Sequence, residues 1–102
     1  MGDAAALFER TFALRPRSAD AHNNLGVTLA QTGRLREAEA HFREAARLAP
    51  DSADARNNLG RAMAQQGRLA EAEAQFAEAL RIRPDFREAQ INLARARHLL
   101  GK

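Results

Sequence analysis

Residues 53–86 read ADARNNLGRAMAQQGRLAEAEAQFAEALRIRPDF, and about 22 of these 34 residues are already present, in register, in the preceding block 19–52. Self-similarity at 34 residues is the length of a helix-turn-helix solenoid unit. Within each block the apolar residues return at helical spacing, as in Leu25 and Leu29 followed by Leu35, Ala38, Phe42, Ala45 and Leu48. Each block therefore reads as two amphipathic helices. Gly33 and Gly67 separate the two, Pro50 and Pro84 stop the second, and Ser18, Ser52 or the adjacent aspartates stand where the next first helix needs a cap. Asp20, Asp54 and Glu88 fall near helix starts and Arg47, Arg81 and Arg83 near helix ends, as the helix dipole favours.

Working outward, Ala4, Phe8, Leu14 and Pro16 stand one period before Ala38, Phe42, Leu48 and Pro50. Residues 3–15 are thus expected to form a second helix, and residues 87–100 a first helix ending at Gly101. The chain reads as a single domain, 1–102: a half repeat (1–18), two whole repeats (19–52 and 53–86) and a half repeat (87–102). The expected fold is all-α, a right-handed antiparallel helix-hairpin solenoid of six helices. With phenylalanine at only five positions and much of the apolar content in alanine, the core must come from close helix approach.

The pattern L-G-x-x-[large]…A-x-x-x-F-x-x-A…P resembles the tetratricopeptide repeat. It is carried by Leu25, Gly26, Leu29, Ala38, Phe42, Ala45 and Pro50, and again by Leu59, Gly60, Met63, Ala72, Phe76, Ala79 and Pro84. Glycine inside a helix costs about 1 kcal/mol against alanine, so Gly26 and Gly60 imply a close approach. Three positions depart from the pattern. His22, Arg56 and Gln90 replace an aromatic that the family often carries, and in the last helix Ala94 and Arg97 replace the glycine and the large apolar residue. Arg97 would be costly to bury, so the last helix reads as a partial solvent cap at the end of the array.

In this family the first helices line the concave surface. Spacing of three or four gives stripes of Asp20, Asn24, Val27 and Gln31; Asp54, Asn58, Arg61 and Gln65; and Glu88, Asn92, Arg95 and Leu99, with Asn23 and Asn57 alongside. Asn24, Asn58 and Asn92 recur at the 34-residue interval and form a ladder of amides, each with a donor and an acceptor. The ladder and the P-D-F…I-N-L-A segment look like the repeat region of the O-linked N-acetylglucosamine transferases. That likeness implies capture of an extended peptide along its backbone by Asn24, Asn58 and Asn92, and the guanidinium groups of Arg61 and Arg95 beside them suit pairing with a ligand carboxylate. The paired-lysine carboxylate clamp of chaperone-binding members is absent. The alternative is self-assembly, head-to-tail or by domain swap, because the chain begins with an unpaired second helix and ends with an unpaired first helix.

Other chemistries find little support. No catalytic domain accompanies the repeats, so no enzyme is expected. There is no cysteine, and His22, His41 and His98 lack metal spacing and read as surface residues; no metal or cofactor is expected. Glu37 with Glu39, and Glu71 with Glu73, read as solvated faces. The net charge of +3 is spread over stripes that alternate acid with arginine, without stacking aromatics, so no nucleic acid is expected. No apolar run approaches the roughly 20 residues that span a bilayer. No basic-then-apolar leader is visible either, so the expectation is a soluble chain binding protein or peptide, cytoplasmic in preference to periplasmic.

Overall fold

The computed structural model describes residues 18–102, which form five helices and no strand: α1 (Ala19–Gln31), α2 (Leu35–Leu48), α3 (Ala53–Gln65), α4 (Leu69–Ile82) and α5 (Arg87–Leu99). Five helices are therefore seen and not six, because the helix expected at residues 3–15 lies outside the described residues. The punctuation works as chemistry. Ser18 Oγ accepts from the Ala21 N–H at 3.2 Å and Ser52 Oγ from the Ala55 N–H at 3.1 Å, satisfying helix-start donors. Each hairpin then reverses through a glycine with positive φ, 82° at Gly33 and 80° at Gly67, a conformation that side chains disfavour. The Arg34 N–H reaches Leu29 O and the Arg68 N–H reaches Met63 O, closing equivalent turns.

The helices pack in two layers. The inner layer is α1, α3 and α5, where α1 touches α3 and α3 touches α5; α2 and α4 flank it but make no close backbone approach to each other. A stack whose members touch on one side only must curve toward that side. Leu25, Leu29, Phe42, Leu59, Met63, Phe76 and Leu93, with Ala38, Ala62, Ala72 and Ala96, form one continuous core through both hairpins. The glycines explain themselves here. A Cβ on Gly26 would lie 2.5 Å from Phe42 Cε1, and one on Gly60 2.6 Å from Phe76 Cε1. Each ring lies directly on helix backbone, and that contact offsets the helix penalty of glycine.

A charged clasp joins the hairpins. Glu39, expected on a solvated face, is instead 7% exposed and accepts from Arg43 Nη2 at 2.7 Å, Arg68 Nη1 at 2.7 Å and Gln66 Nε2 at 3.0 Å. Burial pushes its carboxyl up, but the bonds from Arg68, Gln66 and Arg43 outweigh that and hold it at about 2. One period on, Glu73 accepts from Lys102 Nζ at 2.8 Å and Arg97 Nε at 3.0 Å. Glu39 with Arg68 and Glu73 with Lys102 are thus the same link at successive junctions. Arg97 keeps a half-exposed side chain in this arrangement, so its charge is not buried.

Candidate peptide-binding groove

Two cavities open along the inner layer. The first, of about 160 Å³, lies between α1 and α3, with Val27, Ala30, Phe42 and Ala62 as its apolar lining and Gln31, Asn58, Arg61 and Gln65 as its polar rim. The second, of about 200 Å³, lies between α3 and α5, with Ala64, Leu69, Phe76, Ala96 and Leu99 apolar and Arg61, Gln65, Asn92 and Arg95 polar. Most lining residues of the second are those of the first advanced by 34, as in Phe42 and Phe76, Asn58 and Asn92, Arg61 and Arg95. Arg61 and Gln65 belong to both, so the cavities form one groove with a repeating rim. Over residues 18–85 the sequence matches the family profile described as tetratricopeptide repeat.

The chain belongs to the tetratricopeptide repeat family.

Solved structures agree on the fold. The chain superposes on MamA with a TM-score of 0.92 at 24% identity, covering 98% of this chain and 58% of that one, so it spans little more than half the length of that relative. It superposes on the first tetratricopeptide repeat domain of Spaghetti (RPAP3), solved with the HSP90 peptide SRMEEVD, at 0.91 and 18% identity over 96% and 78% of the two chains. A mutant Thermobaculum terrenum O-GlcNAc transferase gives 0.87 at 26% identity over 92% of this chain and 18% of that one. No curated protein sequence matches. As a class, tetratricopeptide repeats are non-enzymatic scaffolds for contacts between proteins. No helix among the described residues is long and apolar enough to cross a membrane.

The repeat equivalence does not treat the predicted residues alike. Asn58 and Asn92 are half-buried and line the groove, whereas Asn24 is exposed on α1 and lines neither cavity. Gln31, Arg61, Gln65 and Arg95 all stand on the rim. Arg61 approaches Glu88 at 3.4 Å, while Arg95 has no ion-pair partner among the described residues. Asn57 points inward instead. At 2% exposure it donates through Nδ2 to Glu88 Oε1 at 3.2 Å and accepts from Asn92 Nδ2 at 3.1 Å, tying α3 to α5. Asn23, one period earlier, has its Oδ1 buried without a hydrogen bond. The amide of Asn92 is therefore partly engaged within the fold, and that of Asn58 has no hydrogen-bond partner among the described residues.

Histidine at the departed aromatic position also behaves differently from the sequence expectation. His22 is 3% exposed and its Nδ1 lies 3.1 Å from that of half-buried His41, so these two are packing residues of the first hairpin, not surface ones. Among the described residues no group of three or more His, Cys, Asp or Glu side chains is placed to hold a metal. Sequence reasoning missed Asn57, Glu88 and Glu39 as links between hairpins. Two signals were there: the recurrence of Glu39 as Glu73 with Arg68 as Lys102, and the exchange of Asn57 for Ile91 at one phase, which marks a site facing a neighbouring helix.

Proposed function

We propose that this chain is a peptide-binding module whose groove holds an extended protein segment, with ladder amides bonding the ligand backbone and Arg61 and Arg95 favouring an acidic side chain. The observation that carries the reading is the repetition of one cavity at a 34-residue offset, with Asn58 and then Asn92 on its rim. An extended strand cannot satisfy its own backbone groups, and a periodic row of amides meets that need whatever the side chains are. The apolar floor at Phe42 and Phe76 adds contact area beneath. The peptide seen with the Spaghetti repeat domain and the likeness to the transferase repeats support the same class of ligand. With so short a groove, affinity is micromolar or weaker.

Fluorescence titration tests the ladder. An Asn24→Ala, Asn58→Ala, Asn92→Ala variant should bind an extended peptide up to about 30-fold more weakly, since the two amides on the rim, Asn58 and Asn92, each supply a net hydrogen bond of about 1 kcal/mol. Equal binding by the variant and the parent would reject the ladder. Arg61→Ala with Arg95→Ala should selectively weaken peptides carrying Asp or Glu, and the difference should shrink in high salt; a uniform loss across neutral and acidic peptides would remove the acidic preference.

Self-association is a second reading, favoured by the apolar side chains exposed on α5. Ile91 is 51% exposed where its counterpart Asn57 is 2% exposed, and Leu99 is 60% exposed. Ile91 would be covered, as Asn57 is, if another hairpin, including one from a second copy, continued the stack in a head-to-tail contact. Light scattering that stays monomeric across concentration would eliminate it.

A further inference from the structure

Outside the groove, α2 and α4 stand apart over α3 and leave a cavity of about 260 Å³ in the outer layer. Its walls are Arg43 and Arg47 from α2, Arg56 from α3 and Gln75 from α4, with Ala46 and Leu59 beneath. Two of these guanidinium groups already hold a carboxylate, Arg43 on Glu39 and Arg47 on Glu44, whereas Arg56 is bonded to none among the described residues. Glu39 is shared with Arg68 and Gln66, Glu44 is bonded to Arg47, and Glu78 is bonded to Arg81 while within electrostatic reach of Arg56.

Each of the three arginines around the cavity keeps a donor in reserve. Arg43 uses Nε and Nη2 on Glu39, and Arg47 uses the same two atoms on Glu44, so each keeps Nη1 for something else. Among the described residues Arg56 makes no side-chain hydrogen bond, and its Nε is buried without a partner. The Oε1 of Gln75 is likewise buried and unpartnered; turning that amide over puts a donor in its place, since the two ends of an amide are nearly equal in shape. A buried guanidinium N–H left unbonded is expensive. Arg56 itself lines the cavity between α2 and α4.

We propose that this outer cavity is a phosphate-binding site, with Arg56 as its inner donor and Arg43 and Arg47 closing over the anion. A tetrahedral dianion matches donors arriving from three sides; a planar carboxylate is satisfied by one guanidinium fork. The site is particular to this junction. At the corresponding position of the first hairpin His22 and His41 contact each other, and one period further on Ala77 and Gln90 stand in place of Arg43 and Arg56. Arginine-rich composition alone would not place three of these side chains around one cavity at a single junction.

The test is a titration of the chain with inorganic phosphate at constant ionic strength, following arginine side-chain N–H signals by NMR. Phosphate should shift the Arg56 signal saturably, and chloride should not. Arg56→Gln, which installs the residue found naturally at position 90, should weaken binding about tenfold or more, whereas Arg56→Lys should retain part of it. The Asn24, Asn58, Asn92→Ala variant should bind phosphate as the parent does, so this site and the groove stand or fall separately. A capped phosphoserine peptide binding more tightly than inorganic phosphate identifies a phosphorylated partner as the source; weaker binding identifies free phosphate. Acetate binding as well as phosphate, a non-saturating shift shared by all arginines, or an Arg56→Gln variant with unchanged binding would each overturn the proposal.

Discussion

Phe76→Ala lowers the unfolding free energy by about 3–5 kcal/mol, the range for emptying a buried aromatic site. Its ring is 2% exposed, lies against the backbone of Gly60, and belongs to the core that runs through both hairpins. The helix around Gly60 cannot collapse into the space without moving α3 away from its neighbours. Equilibrium urea denaturation measures the effect; a loss below 1 kcal/mol would mean that the ring does not fill the space described. The converse substitution sharpens the point. Gly60→Ala gains about 1 kcal/mol of helix propensity yet puts a methyl 2.6 Å from Phe76 Cε1, so overpacking of about 1–3 kcal/mol should win. In a Phe76→Leu background the penalty should shrink or reverse, giving a positive coupling in a double-mutant cycle. A stabilising Gly60→Ala in the parent would contradict the close approach.

Acid is expected to loosen the junction between the hairpins through Glu39. Its folded-state pKa of about 2 lies below the ordinary value of 4.5, so the unfolded chain takes up the proton first. The stabilisation is complete above about pH 4.5 and is lost as pH falls from there toward 2. At 1.36 kcal/mol per unit the full shift corresponds to roughly 3 kcal/mol, and solvent around the half-exposed Arg43 reduces it to about 1–3 kcal/mol. Glu39→Gln should therefore be less stable at neutral pH and show a flatter dependence between pH 4.5 and 2. Glu44, Glu71, Glu73 and Glu78 are also held low by arginine or lysine partners, so the difference between parent and variant, not the acid limb itself, is the measurement. Parallel curves for the two would dismiss Glu39 as the clasp.

The fold was legible because one signal, the 34-residue period, sets helix length, turn position and packing together. Gly33 and Gly67 at positive φ, Ser18 and Ser52 at helix starts, and Phe42 and Phe76 against glycine backbone all sit where that period and local chemistry agree. The groove was legible only by phase. Neighbouring residues on a helix diverge by about 100°, so Asn57 and Asn58 cannot both face a ligand, and a pattern of paired asparagines does not say which one turns inward. Tertiary context decides it: Glu88, 31 residues away, supplies the acceptor that keeps Asn57 buried. Glu39 escaped notice for a related reason. A glutamate beside arginines on a helix reads as solvated, and its burial comes from Gln66 and Arg68 in the turn of the next hairpin.

The separation of α2 from α4, set against the contact of α1 with α3 and α3 with α5, gives the stack an open back and a continuous inner edge. Bending about that edge would keep the inner helices in contact while changing the width of the back. Spreading the outer helices draws the walls of the inner cavities together, and closing them opens those walls. A ligand wedged at the back would thus tighten the opposite face without touching it, so the two surfaces would communicate through curvature alone.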